Sequence, residues 1–125
     1  MRLLLDTNTL LWLMEGNPRL SRHVRSLIEN AEEVYVSSVS LWEIAIKSRI
    51  GKLEEDAELV AGQLEAAGLS ELPVTHRHAV AVGRLPLLHR DPFDRLLVAQ
   101  AITEPMRLLT ADTRLAAYSE LVILI

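Results

Sequence analysis

The sequence predicts an α/β fold, a three-layer α/β/α arrangement around a central, mostly parallel sheet of four to five strands. Three observations carry this reading. Short apolar runs such as Leu3-Leu4-Leu5, Val34-Tyr35-Val36 and Leu108-Leu109 alternate with segments of helical period, and strands alternating with helices imply a parallel sheet covered on both faces. Each run is closed by small polar or acidic residues, Asp6-Thr7-Asn8, Ser37-Ser38 and Thr110-Ala111-Asp112, the residue types that gather at the carboxyl edge of an open α/β sheet. A chain of 125 residues, 50% hydrophobic and without an internal repeat or linker, fits one domain over residues 1–125 with ample apolar surface to bury.

Arg2 to Leu5 reads as a buried strand, and Leu10, Leu11, Trp12 and Met14 change the period to helical, so Asp6 lies in a strand-to-helix corner. Gly16, Asn17 and Pro18 form a turn, and Ser21 is placed to cap a helix towards Asn30. Val34 to Val36 make the second strand. Ser40 and Glu43 have the spacing of a capping box, opening a helix through Leu41, Ile44 and Ile46 that Gly51 stops. Asp56 to Ala67 reads as a helix ended by Gly68. Leu69 to Val74 reads as an edge strand, because Pro73 removes a ladder donor. A helix follows from Thr75 to Arg84, then a loop over Leu87 to Pro92. Pro92 suits the first turn of a helix running up to Pro105. Leu108 and Leu109 form a strand, Leu115 and Tyr118 a short helix, and Val122 to Ile125 a last strand.

The absence of Cys excludes disulfides, thiolate zinc sites and cysteine nucleophiles, and suits a reducing cytoplasm. Apolar stretches are broken by Asp6, Glu15 or Arg107 before they can span a bilayer, and no basic segment precedes a secretory core, so the sequence reads as soluble, untargeted and without a membrane partner. A net charge of -4 argues against a broadly basic nucleic-acid coat while leaving room for a local basic rim.

Asp6, Glu43 and Asp112 all follow predicted strands, and Asp94, with Asp91 as neighbour, begins the helix opened by Pro92. Right-handed parallel topology brings such positions to one edge. Carboxylates packed together repel, and one must take up a proton unless a cation lies between them. Oxygen ligands without Cys or a paired His motif suit Mg²⁺ or Mn²⁺, ions that hold phosphates and activate water. Thr7, Asn8, Ser38 and Thr110 are near enough in sequence to orient carboxylates or waters. Lys47, Arg49, Lys52, Arg90, Arg95 and Arg114 could form a positive rim for phosphates, with Lys47, Arg90, Arg95 and Arg114 nearest the acids.

With these residues in view, the sequence resembles the PIN-domain ribonucleases, in particular the VapC toxins of VapBC toxin–antitoxin pairs. The matching pieces are Leu4-Leu5-Asp6-Thr7-Asn8, Ser37-Ser38-Val39-Ser40-Leu41-Trp42-Glu43-Ile44, His89-Arg90-Asp91-Pro92-Phe93-Asp94-Arg95-Leu96-Leu97 and Leu109-Thr110-Ala111-Asp112. They occur in the family's order over essentially the whole chain. The resemblance implies a metal-dependent endoribonuclease using Asp6, Glu43, Asp94 and Asp112 as catalytic and metal-binding acids, dimeric, cytoplasmic and inhibited by a small VapB-type antitoxin. Within Asp91-Pro92-Phe93-Asp94 either acid fits as ligand; Asp94 is preferred because it begins the helix where the family places its third acid. Helices near Leu10 to Met14 and Leu41 to Ile46 are the candidates for an antitoxin groove, consistent with a mean hydropathy of +0.20.

Plainer readings exist for each feature. Asp6, Asp94 and Asp112 can cap helices or face their dipoles, and Glu43 can serve Ser40 alone. His76 and His78 point apart on a helix, His23 reads as exposed, and His89 as an ordinary loop histidine rather than a phosphate contact. Trp12 and Trp42 read as packing residues. A catalytically inactive binding module and a phosphotransfer protein using Asp6 are the rival functions. The second wants Asp-x-Asp at the first corner, or a late Lys, and the sequence has neither.

Overall fold

A computed structural model describes residues 1–125. Five strands, β1 (Arg2–Leu5), β2 (Glu33–Ser37), β3 (Ser70–Leu72), β4 (Arg107–Thr110) and β5 (Val122–Leu124), form one sheet in the order β3-β2-β1-β4-β5. Every pairing is parallel. The helices are α1 (Thr7–Glu15), α2 (Arg22–Asn30), α3 (Ser38–Arg49), α4 (Ala57–Gln63), α5 (His76–Val82) and α6 (Pro92–Thr103), with a 3₁₀ turn over Thr113–Tyr118. No helix is long and apolar enough to cross a membrane.

Alternation along β1 explains the layers. Leu3 and Leu5 point to one face, where they join Leu10, Leu11, Val24, Ile28, Ile44 and Val60. Leu4 points to the other, with Leu97, Val98, Ala101, Leu108 and Leu115. A strand buried on both sides reads as an unbroken apolar run, as Leu3-Leu4-Leu5 does. Because β1 is central, Leu5 pairs with both Val36 and Leu109. The register therefore fixes where Asp6, Ser37 and Thr110 leave the sheet, all at its carboxyl edge.

Local sequence sets the element ends. Gly16 takes a left-handed conformation (φ 67°) and returns its N–H to Leu13 and Trp12, which stops α1. Ser21 caps α2 through the Val24 N–H. The capping box expected at Ser40 and Glu43 is absent. Chain direction changes directly after β2, so Ser37 caps α3 through Val39, and Ser40 and Glu43 lie inside the helix. The capping box of this chain is instead Thr75 with His78 at the start of α5. Helix α4 ends at Gln63 rather than Ala67, its continuation tightening into three-residue bonds such as Ala67 N–H to Leu64 O. β3 is three residues long and lies on an edge, with Pro73 just beyond it.

Helix α5 and the C-terminal cap of α6 are joined by a half-buried polar contact, His78 Nε2 lying 2.5 Å from Glu104 Oε2. Leu10 and Leu11 are buried in the core while Trp12, Leu13 and Met14 pack against it, so α1 offers little free apolar surface for a partner. On α3, Trp42 and Ile46 are exposed, as is Ile50 just beyond its end.

Leu4, fully buried in the central strand, is the position where truncation is felt most directly. Leu4→Ala is expected to lower unfolding free energy by about 2–5 kcal/mol, measured as a lower urea midpoint at unchanged slope.

Candidate active site

The carboxyl edge of the sheet opens into a cleft of about 300 Å³ lined by Asp6, Thr7, Asn8, Glu43, Lys47, Asp91, Asp94, Ala111, Asp112 and Arg114. Five carboxylates thus face two side-chain cations around one hollow. Larger hollows elsewhere are lined mainly by apolar or unrelated residues and hold no such concentration of charge.

Asp6 caps α1, its Oδ1 accepting from the Thr9 N–H at 2.9 Å. Burial pushes its carboxyl above the ordinary range, opposed by hydrogen bonds from Thr110 and Thr9 and reinforced by Glu43. Thr110 also accepts from the Asp112 N–H at 3.0 Å, so one buried hydroxyl at the end of β4 braces two of the acids. Glu43 is buried one turn into α3. Its Oε1 accepts from Thr7 Oγ1 at 2.6 Å, and its Oε2 lies 2.5 Å from Lys47 Nζ. Thr7 Oγ1 also sits 3.0 Å from Ser40 Oγ, so Ser40 serves Thr7 inside the helix. Lys47 is held above its usual value by that bond to Glu43.

Asp91 and Asp94 divide their work. Asp91 Oδ1 accepts from the Phe93 and Asp94 N–H groups as the cap of α6. Asp94, in the first turn of α6, is raised to about 7 by burial, then by Asp91, Asp6 and Glu43. Asp112 caps the 3₁₀ turn. Its Oδ1 takes the Arg114 N–H and Nε, and its Oδ2 takes Arg114 Nη2 and His89 Nε2 at 2.9 Å. Those bonds hold it well below the usual carboxylate range, Arg114 contributing most. All four lone-pair directions of Asp112 are therefore occupied.

Of the residues expected from the sequence, Ser38 and Arg95 turn away from the cleft. Ser38 Oγ accepts from the Val74 N–H, and Arg95 Nη2 donates to the Val82 and Leu85 carbonyls at 3.3 Å, tying the end of α5 to α6. Arg90 is exposed and does not line the cleft. His89, read from the sequence as an ordinary loop residue, is buried and bonded to Asp112. Its position two residues before a capping Asp was the available signal. Beside the cleft, Trp42 meets Phe93 edge-on at 5.3 Å between ring centres. These rings line an apolar recess with Val39, Ala79, Val82, Pro92 and Leu96.

A parallel five-stranded sheet with acids gathered at its carboxyl edge is the arrangement of a PIN-type domain. The sequence matches the PIN-domain family over residues 3–121, and the chain belongs to that family. It is 32% identical over 126 residues to ribonuclease VapC22 of Mycobacterium tuberculosis, covering 92% of this chain and 90% of the relative. Among solved structures, VapBC2 from Rickettsia felis bound to a promoter DNA fragment matches with a TM-score of 0.72 at 20% identity, over 100% of this chain and 98% of that one. DNA-bound VapBC from Salmonella typhimurium matches with a TM-score of 0.69 at 18% identity, over 100% and 97%. At these identities the structural likenesses speak for the fold.

The raised Asp94 carboxyl sets a pH dependence. The folded chain holds a proton there that the unfolded chain releases, so this group's contribution to stability declines as pH rises from the ordinary 3.8 to about 7 and is level above. In EDTA, Asp94→Asn is expected to be more stable than the wild type at pH 8, by on the order of 1–3 kcal/mol after discounting for partial exposure. The advantage should vanish near pH 4, as read from paired urea titrations.

Proposed function

We propose that this protein is a Mg²⁺- or Mn²⁺-dependent endoribonuclease, the toxin of a VapBC-type toxin–antitoxin pair. The observation that carries the reading is the gathering of five carboxylates against two side-chain cations in one cleft, where burial and then the neighbouring acids raise Asp94 to about 7. Membership of the PIN family and the relation to ribonuclease VapC22 support it. Oxygen donors without a thiolate fit a hard divalent cation. Asp6, Glu43, Asp94 and Asp112 would hold it, and when bound it supplies an activated water and relief of charge growing at phosphorus.

The rest falls to the chain. Asp6 and Glu43 are fixed by buried hydroxyls and backbone donors, so their oxygens need no reorganisation when RNA arrives. Lys47 and Arg114, at the rim, neutralise Glu43 and Asp112 in the free protein and can turn to RNA phosphates, with Arg90 further out. Occupation of Asp112 by Arg114 means that ligation through Asp112 requires this exposed side chain to let go of one oxygen. Phosphate contacts of this kind bind without sequence preference. A single-stranded RNA loop is the substrate class such a cleft admits.

The partner we infer is a VapB-type antitoxin, in keeping with the toxin–antitoxin assemblies among the structural neighbours. The exposed Trp42 and Ile46 on α3, with Ile50 just beyond its end, support apolar contacts, with the antitoxin or in a homodimer. A cytoplasmic site of action follows from this reading.

Purified protein freed of any antitoxin is expected to cleave RNA with Mg²⁺ or Mn²⁺ and not with EDTA. Asp6→Asn, which keeps shape and removes charge, should lower the rate at least about a hundredfold. Undiminished cleavage by the variant would place the chemistry elsewhere. Millimolar Mn²⁺ should also raise the melting temperature of the wild type, since a ligand of the folded state stabilises it, and should do so much less for the variant.

A further inference from the structure

His89, Asp94 and Asp112 bring one nitrogen and two carboxylate oxygens within 4.8 Å of one another. Taken alone, this trio looks like a mixed nitrogen and oxygen metal site. The hydrogen bonds around the imidazole exclude His89 as a ligand. Its Nδ1 accepts the Asp91 backbone N–H at 2.9 Å, so that atom carries a lone pair already in use. The ring hydrogen is therefore on Nε2, which points at Asp112 Oδ2, 2.9 Å away. The same N–H lies 3.5 Å from Asp94 Oδ2. A nitrogen that donates a hydrogen offers no lone pair to a cation.

We infer that His89 is a positioning residue, a tautomer-locked donor that sets the orientation of Asp112 and the spacing between Asp112 and Asp94. The inference rests on the nuclease reading above for its consequence and on geometry for its content. Three features make His89 a rigid bracket. Its ring is buried, so its bonds do not compete freely with water. Its backbone N–H and that of Leu88 both donate to Tyr118 Oη, at 3.0 and 3.1 Å, which pins the loop before α6 to the 3₁₀ turn after Asp112. The Asp91 N–H that locks the tautomer belongs to the capping residue of α6, so helix start and imidazole are set together. The acids at the end of β4 and the start of α6 come from separate elements, and His89 is the side chain joining them. Arg114 holds Asp112 from the solvent side, but it is 66% exposed and free to exchange. His89 supplies the permanent half of that grip. Donors of this kind behind a carboxylate ligand typically affect metal affinity or rate about 10–100-fold.

Two substitutions separate its two nitrogens. His89→Gln places an amide N–H near the position of Nε2 and keeps a donor to Asp112. His89→Asn places an acceptor near Nδ1, keeping the bond from Asp91, and cannot reach Asp112. Mn²⁺ affinity is measured by calorimetry on full-length wild type and both variants without RNA, alongside thermal melts. The tautomer is read from long-range ¹H–¹⁵N spectra of the histidine-labelled wild type, the His89 signals being those missing from the Asn variant. The expected result is an Nε2–H tautomer, Mn²⁺ affinity about 10–100-fold weaker in His89→Asn, and recovery to within about threefold of wild type in His89→Gln. An Nδ1–H or doubly protonated ring, or equal Mn²⁺ affinity in all three proteins, would overturn the inference. Failure of the nuclease reading registers separately, as absent RNA cleavage by a wild type whose tautomer and metal affinity are as expected.

Discussion

Repulsion among carboxylates at one sheet edge is the constraint to which the rest of this structure answers. Asp6, Glu43, Asp91, Asp94 and Asp112 share a cleft, and at such separations in a partly buried setting like charges raise one another's proton affinity. The chain meets this in three ways. Lys47 and Arg114 are built in as local cations on Glu43 and Asp112. Thr7, Thr9 and Thr110 supply donors to the buried oxygens. Asp94 is left with burial and three acidic neighbours, and its carboxyl rises to about 7. Asp6 and Asp94 are thus the two acids whose charge the chain leaves least relieved.

The capping and catalytic readings of these acids are complementary. Asp6, Asp91 and Asp112 each cap a helical segment, their side chains accepting from backbone N–H groups two or three residues on. Such N–H groups carry partial positive charge, so a cap steadies a carboxylate and offsets part of the repulsion. Helices in a parallel α/β sheet start at the carboxyl edge of the strands, and the same geometry that gathers the acids gathers their caps. The site is therefore assembled from corners the fold must have anyway, with buried Thr and His side chains fixing the angles.

This division of labour explains why carboxylates of one cleft behave so differently. Asp112, gripped by Arg114 and His89, remains charged far into acid, while Asp6, buried with few charged partners, is pushed the other way. In each case the environment decides, since the free side chains are identical. It also separates Asp91 from Asp94, three residues apart and both lining the cleft: Asp91 Oδ1 is engaged by the α6 backbone, whereas burial and its acidic neighbours raise Asp94.

The sequence by itself determined the elements and the acids. Leu3-Leu4-Leu5 reads as a strand buried on both faces, Asp6, Glu43 and Asp112 follow strand runs, and Asp94 follows the helix-opening Pro92, which brings them to one edge because strand period and parallel topology are local and directional rules. Tertiary structure decided what each side chain touches. Ser40 was legible as half of a capping box, yet α3 begins at Ser38, which turns Ser40 towards Thr7. Arg95 was legible as a basic neighbour of Asp94, yet helical rotation carries it to the carbonyls of α5. His89 was legible only as an ordinary loop histidine, since it gains meaning from partners 2 and 23 residues away, Asp91 and Asp112. Sequence spacing fixes which edge a residue reaches; the hydrogen bonds that lock its orientation come from other elements, and only packing brings those together.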